Sequence, residues 1–184
     1  MKAHFLSHSW LLIILINFIP ACTTQKFSSQ KENLPAAEIN AQLSLSYLQL
    51  GDVERAKQKI LLAHQQAPHD PLIWYSQAYF LEKTGESVAA EKAYLKAISL
   101  ANHNGAAHNN YGAFLCRRGR YSSAISQFLL ASQDPDYLHV GDTYENAGIC
   151  AMKIPDTTLA RKFFQQALAA NPDLPEAKLR LQQL

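Results

Sequence analysis

Apolar and small side chains recur along most of this chain with a period of 34 residues. Glycine stands at positions 51, 85 and 119, alanine five residues later at 56, 90 and 124, and alanine again at 63, 97 and 131. The pattern resumes after an offset of two residues: Gly148, Ala160 and Ala167 lie 36 residues after Gly112, Ala124 and Ala131. A single amphipathic helix repeats about every 3.6 residues and gives no period of this length. The period therefore indicates a repeated unit larger than one helix.

Each unit is predicted to be two helices joined by a turn. The glycine of each of the first three units ends the first helix, where a left-handed residue satisfies otherwise unpaired carbonyls; Pro155 takes that place in the fourth. Small residues at the eighth and twentieth positions allow the two helices to cross closely. A 34-residue helix-turn-helix unit is typical of tetratricopeptide repeats, which stack into solenoids. An ordinary helical bundle rich in alanine and leucine is the alternative, and it does not explain the period.

The sequence thus predicts an all-α tetratricopeptide-repeat solenoid of four repeats with a C-terminal capping helix. Solenoid ends need such a cap because the last repeat has no neighbour to cover its apolar face. The predicted repeats are about 37–70, 71–104, 105–138 and 141–174, and the cap is 175–184.

The first 21 residues have the features of a secretory signal peptide. Lys2 precedes an apolar run from Trp10 to Ile19, which is too short to span a bilayer comfortably. Ile19-Pro20-Ala21-Cys22 resembles the lipobox of bacterial lipoproteins. That resemblance implies cleavage after residue 21 and a lipidated Cys22. An ordinary secretory signal with an incidental cysteine is the alternative.

The polar segment that follows lacks periodicity and is predicted to be a flexible linker, residues 22–35, between the lipid anchor and a repeat domain of residues 36–184. Two or more acyl chains on Cys22 would make membrane attachment stable. Thr23 stands where aspartate would favour the inner membrane, so the lipoprotein resemblance implies the outer membrane.

Composition and motifs argue against several functional classes. The formal net charge is +2 and the basic residues are scattered, without the basic stripe expected of a nucleic-acid-binding protein. The histidines are dispersed, and neither a zinc-binding motif nor a glycine-rich phosphate loop occurs. We therefore expect no enzymatic activity, no metal or other cofactor, and no small-molecule substrate.

A protein-binding groove is the expected functional site. The concave face of such a solenoid is lined by the second, fifth, ninth, twelfth and thirteenth positions of each first helix. These positions are mainly apolar in the first two repeats, and an exposed apolar patch marks a binding site for an amphipathic helix or an extended segment. Local packing, or contact with the linker, is the alternative role for the two leucines of the first repeat. The predicted groove residues are Ala41, Leu45, Leu48, Leu72, Tyr75, Tyr79 and, in the third repeat, Asn109.

Cys116 and Cys150 occupy similar heights in the first helices of successive repeats. In an oxidising compartment they could form a disulfide. Two buried free thiols are the alternative, because cysteine is also a good small core residue.

Two motifs are more specific than the repeat. The segment 108–116 reads HNNYGAFLC and the segment 144–151 reads YENAGICA. Both resemble the PilF/PilW lipoproteins of type IV pilus biogenesis, although members of that family usually carry more repeats. The resemblance implies a lipid-anchored, periplasm-facing pilotin of the outer membrane, which binds the PilQ-like secretin and promotes its localisation and multimerisation. The rival function is a generic lipid-anchored scaffold for outer-membrane protein insertion or cell-wall enzyme recruitment.

Overall fold

Nine α-helices and no strand make up the part of the chain that the structure, a computed structural model, describes: residues 32–101, 103–155 and 157–184. The first eight form four successive helix-turn-helix pairs, and the ninth packs against the last pair. The predicted all-α repeat solenoid with a C-terminal helix is confirmed. The helices are α1 (Leu34–Gln49), α2 (Val53–Gln66), α3 (Pro71–Lys83), α4 (Ser87–Ser99), α5 (Gly105–Arg117), α6 (Tyr121–Ser132), α7 (Val140–Ala151), α8 (Thr157–Ala170) and α9 (Pro175–Gln183).

The turns inside the first three pairs depend on glycine. Gly51, Gly85 and Gly119 have φ angles of +76°, +89° and +75°, a conformation that costs other residues energy. After Gly51, the Asp52 N–H donates to the Tyr47 carbonyl at 2.8 Å, which satisfies one of the last carbonyls of α1. The predicted left-handed turn is therefore present in each of these pairs.

A small residue lies at the helix crossing in the first, third and fourth pairs, and in the last two it faces an aromatic ring. Gly112 lies under the ring of Phe128, where an added Cβ would stand 2.8 Å from the ring. Gly148 lies under Phe164 in the same way, at 2.7 Å. In the first pair the small residue is Ser44, whose hydroxyl donates to the Ala56 carbonyl at 2.8 Å. Small residues thus let the backbones approach, as the sequence predicted.

Two hydrophobic cores lie along the solenoid, both built from residues of the unit Glu32–Leu184. The smaller core joins the first pair to α3 through aliphatic residues such as Ile60 and Ile73. The larger core runs from α3 to α9 and contains buried aromatic rings, including Tyr94 and Phe114. The unit Glu32–Leu184 therefore has hydrophobic cores of its own that extend from the first pair to the capping helix.

The two-residue offset before the fourth repeat falls in the α6–α7 connection. Tyr137 from this connection packs against Gly105, where an added Cβ would lie within 2.6 Å of three ring and Cβ atoms. Asp134 accepts a hydrogen bond from the Gly105 N–H at 2.6 Å. The α6–α7 connection thus places an aromatic side chain against the start of α5.

The capping helix α9 closes the C-terminal end as predicted. Leu174 and Ala177 are buried, and Leu181 packs against the larger core. The Glu145 carboxylate on α7 accepts from the Ala177 N–H at 2.7 Å, so that it caps an otherwise unpaired donor in the first turn of α9.

The boundary of the predicted linker needs correction. Helix α1 begins at Leu34 and has Pro35 in its first turn, where proline is well tolerated. Glu32 accepts from the His69 N–H at 3.2 Å. The last two residues assigned to the linker are therefore helical. The predicted signal peptide, Cys22 and the rest of the predicted linker up to residue 31 lie outside the described residues. None of the described helices is long and apolar enough to cross a membrane.

Candidate partner-binding groove

The first helices of the four pairs line one face of the solenoid. Helices α1, α3, α5 and α7 contact each other in sequence, whereas no Cα atom of α2 lies within 8 Å of one in α4. Because first helices lie closer together than second helices, the stack curves toward the first helices. We call their side the concave face and the side of α2, α4, α6 and α8 the convex face.

A cavity of about 210 Å³ opens on the concave face between α1, α3 and α5. Leu45, Tyr75 and Tyr79, all predicted groove residues, lie together around it. Gln49, Ser76 and Asn110 complete its lining. Two aromatic rings and one aliphatic side chain thus form the wall, with amide and hydroxyl groups at the rim. We call this site the groove cavity.

Tyr75 keeps its hydroxyl proton across the neutral pH range. Burial raises the pKa of this phenol to about 12, and the negative charge of Asp70 adds to the effect. A protonated phenol both donates and accepts a hydrogen bond. Tyr75 can therefore bind a polar group beside an apolar one.

Tyr79 is held in place by a cation. The Lys83 ammonium lies 5.1 Å from the centroid of the Tyr79 ring, within the range of a cation–π contact. Lys83 is one turn further along α3, so the contact also limits the rotation of the phenol ring. The second aromatic wall of the cavity is thus partly pre-organised.

Three predicted groove residues have a different role. Ala41 is a correction: its side chain is only 1% exposed and belongs to the smaller core, because α3 packs closely against that part of α1. Leu48 and Leu72 are partly buried and pack against the same core. They support the wall of the groove more than they line the cavity.

The concave face of the third and fourth repeats carries Asn109, Asp142 and Glu145, and we call it the polar half. Asn109 does not line the cavity. Its side-chain oxygen accepts from the Asn146 amide at 3.1 Å and so joins α5 to α7. The adjacent Asn110 lines the cavity instead. Consecutive helical residues point about 100° apart, so only one asparagine of the pair could face this cavity.

The sequence did not single out Gln49, Ser76 or Asn110. Ser76 and Asn110 are both at the sixth position of their repeats, next to the fifth position, which lines the predicted groove. The signal in the sequence is that a hydrogen-bonding residue stands at the sixth position of both the second and the third repeat, directly after a predicted groove position. Gln49 is at the thirteenth position, which faces the groove, but its side chain is polar whereas the predicted groove is apolar.

Cys116 and Cys150 form a disulfide in the structure, with their Cα atoms 5.8 Å apart. This separation is within the usual range for a disulfide. The bond joins the last turns of α5 and α7, so it ties the third pair to the fourth beside the polar half of the concave face.

The rest of the described surface holds another, wider cavity but no cluster of potential metal ligands. Within the described ranges, no group of three or more His, Cys, Asp or Glu residues is placed to hold a metal ion. A wider cavity of about 530 Å³ lies where the turns of the third and fourth pairs meet, near Gly119 and Pro155. It lies outside the first two repeats, where the apolar groove residues cluster.

Comparison with known proteins identifies several relatives. The tetratricopeptide-repeat model matches residues 42–105. An uncharacterized protein of Haemophilus influenzae is 34% identical over 142 residues, which cover 77% of this chain and 79% of that protein. The type IV pilus assembly protein PilF of Pseudomonas aeruginosa is 28% identical over 178 residues, covering 95% of this chain and 71% of PilF.

Solved structures of PilF and PilW are also similar to this chain. The structure of Pseudomonas aeruginosa PilF superposes with a TM-score of 0.72 and 30% identity, over 81% of this chain and 67% of that one. The structure of PilW, described as a type IV pilus biogenesis factor, superposes with a TM-score of 0.68 and 28% identity. That match covers 80% of this chain and 70% of PilW.

Proposed function

This chain belongs to the PilF/PilW-like family of tetratricopeptide-repeat proteins, and we propose on that premise that it takes part in type IV pilus biogenesis as a pilotin. In this role it binds the pilus secretin through the concave face of its first two repeats. Binding promotes the localisation of the secretin at the outer membrane and its multimerisation. The protein performs this role as a non-catalytic assembly factor.

The groove cavity carries this proposal. Pockets for drug-sized ligands usually measure about 300–1,000 Å³, whereas the groove cavity measures about 210 Å³. Its size suits a single anchoring side chain of a protein partner better than a small-molecule substrate. The apolar wall formed by Leu45, Tyr75 and Tyr79 favours an apolar or aromatic anchor, and Asn110 offers a hydrogen bond to the partner backbone.

We propose that a lipid anchor on Cys22 holds the repeat unit at the periplasmic side of the outer membrane. The lipobox-like segment at residues 19–22 supports this part of the proposal. Cys22→Ser should leave the chain uncleaved or release it into the soluble periplasmic fraction. A mature wild-type chain that is soluble and carries no acyl group by mass spectrometry would exclude the anchor.

The groove is tested by measuring the affinity of the purified repeat unit for the secretin. Leu45→Glu and Tyr79→Glu place a charge against the apolar wall, so we expect affinity to fall at least about 100-fold, the scale of a lost interface hot spot. Leu129→Glu is the matched control, because Leu129 is 39% exposed on the convex helix α6. Circular dichroism checks that helicity is unchanged. Unaltered affinity in both groove variants would exclude this groove.

The cellular role is tested by deleting the gene and examining secretin multimers in outer-membrane fractions. We expect heat-resistant multimers and surface pili to be lost, and wild-type protein, but not the Leu45→Glu variant, to restore them. Normal multimers and normal pili after deletion would contradict the pilotin role and favour the generic envelope scaffold.

A further inference from the structure

The convex face carries an exposed leucine at the same place in each of the first three repeats. Leu61, Leu95 and Leu129 are 34 residues apart and lie on α2, α4 and α6. Their exposed fractions are 48%, 49% and 39%. The fourth repeat has Gln165 at this position, also exposed. The repeat therefore aligns three apolar side chains in solvent on the side away from the groove cavity.

Further apolar side chains widen this row. Val88 is 74% exposed and lies seven residues before Leu95, hence on the same face of α4. Leu62 and Leu130, each next to a leucine of the row, are 38% and 44% exposed. None of these side chains belongs to either hydrophobic core. Core packing within the repeat unit therefore gives no reason for apolar residues at these positions.

Basic residues accompany the leucines. Lys57 lies four residues before Leu61 on α2, and Lys92 and Lys96 flank Leu95 on α4. Arg161 and Lys162 occupy the corresponding face of α8. All five are exposed. Three of them lie beside leucines of the row on α2 and α4, and the other two extend the basic surface on α8.

Charge is divided between the two faces. The second helices of the four pairs contain seven Lys and Arg residues and two Glu residues, a net charge of +5. The first helices contain two Lys and Arg residues and four Asp and Glu residues, a net charge of −2. The second helices are thus net basic, through α2, α4 and α8, although the whole chain has a formal net charge of only +2 and α6 carries no charged residue.

We propose that the convex face binds directly to an anionic phospholipid bilayer, with α4 at the centre of the contact. Exposed leucines next to lysines match an interface in which apolar side chains enter the boundary between headgroups and acyl chains while cations contact lipid phosphates. The second helices do not pack against one another, so the leucines are spaced as separate contacts on a fluid surface. The contact goes beyond the pilotin role and does not depend on it.

This orientation has a consequence for the groove. If the convex face lies on the bilayer, the concave face points away from the lipid, and the groove cavity stays accessible to a protein partner. Membrane contact and partner binding then use opposite faces, so the two can be removed separately by substitution.

The test is co-sedimentation of the unit 32–184, which lacks Cys22 and therefore any acyl chain, with phospholipid vesicles. We expect partition into vesicles that contain phosphatidylglycerol to exceed partition into pure phosphatidylcholine at least tenfold, and to fall with added salt because surface charges are screened. Lys92→Gln with Lys96→Gln should lower partition into the anionic vesicles at least about tenfold.

Leucine variants test the apolar part. Leu95→Gln with Leu129→Gln reproduces the residue that the fourth repeat has at this position, and should lower partition about tenfold. Leu45→Gln on the concave face is the matched control and should leave partition unchanged. Circular dichroism verifies that each variant remains folded.

Equal partition into neutral and anionic vesicles, or unchanged partition of both variants, would overturn the proposal. Sedimentation velocity without lipid addresses a second occupant. A dimer that the Leu95→Gln and Leu129→Gln variant converts to monomer would show that the row binds another copy of the chain instead. Loss of vesicle binding with normal secretin affinity would leave the pilotin role intact.

Discussion

The two halves of the solenoid share a repeat but differ in how their concave faces are used. In the first half, Leu45, Tyr75 and Tyr79 surround a cavity and remain accessible. In the second half, the polar groups bind each other: Asn146 donates to Asn109 at 3.1 Å, and Glu145 accepts from the N–H of Ala177 at 2.7 Å. The first half therefore leaves its cavity-lining side chains accessible, whereas the second half pairs its polar groups internally.

The junctions between pairs show the same contrast. Cys116 and Cys150 join α5 to α7 covalently. The equivalent positions in the first two repeats are Leu48 and Phe80, which belong to or pack against the smaller core. An apolar contact at the first junction is thus replaced by a disulfide at the last. In a solenoid each unit is held only by its neighbours, so this bond secures the end that carries the inserted residues.

The largest expected effect is on that junction. Replacing both Cys116 and Cys150 by alanine should lower the free energy of unfolding by about 3–4 kcal/mol, the chain-entropy value for a closed loop of this size. Hydrogen exchange should show lost protection in α7–α9 and little change in α1 and α2, because coupling between distant repeats is weak.

Leu48→Ala is the matched change at the first junction and should deprotect α1 and α2 instead. If both variants deprotect the whole chain equally, the unit unfolds as one cooperative body, and the two junctions do not act independently.

A smaller effect is expected at the helix crossings. Gly148→Ala forces a Cβ to within 2.7 Å of the Phe164 ring, so we expect the free energy of unfolding to fall by about 1–3 kcal/mol, the usual cost of overpacking. Urea denaturation measures the change. The second repeat already has alanine at this position, Ala78, which is fully buried beside Tyr94.

Ala78→Gly is therefore the reciprocal change. It should cost about 1 kcal/mol, because glycine lowers helix stability and leaves a small void. If Gly148→Ala instead stabilised the protein, the close approach in the second half would not be a requirement of the fold.

The smallest effect is the dependence of stability on pH that Tyr75 causes in the first half. The pKa of Tyr75 is raised by burial to about 12 from 10.0, so the folded state favours the protonated phenol. The stability that this preference adds to the folded state is fully present below pH 10, the pKa of the unfolded phenol, and is lost as the pH rises through 12. By pH 10.5 it should have fallen by about 1 kcal/mol.

Tyr75→Phe removes the phenol, so the variant should lose about 1 kcal/mol less stability than the wild type between pH 9 and pH 10.5. The change in the urea midpoint over this pH range measures the difference. An identical pH dependence in wild type and variant would show that Tyr75 ionises freely, and that the groove wall is more hydrated than the structure indicates.

Much of the fold was predictable because its determinants are local and periodic. The turn glycines, the small residues at each crossing and the cap after Pro175 all act within one pair or between neighbours. Because the repeat has a fixed length, equivalent positions in successive pairs make equivalent contacts. The pairing of Cys116 with Cys150 could be suggested, although not decided, from their similar heights in successive helices.

The groove was predicted only in part. Repeat position identified Leu45, Tyr75 and Tyr79, but it also selected Ala41, which is buried, and it missed Ser76 and Asn110. Which of two adjacent helical positions faces a cavity depends on how far neighbouring helices rotate against each other. That rotation is set by core side chains from different pairs and is not encoded in any one repeat.

By itself, therefore, the sequence determined the repeat, its turns and the apolar character of the first half, since these depend on residue type at fixed spacing. The tertiary structure alone decided that Tyr137 packs against Gly105, that Asn109 binds Asn146, and that leucines and lysines share the convex face. Each of these features combines residues from separate helices, and their proximity exists only once the helices have packed.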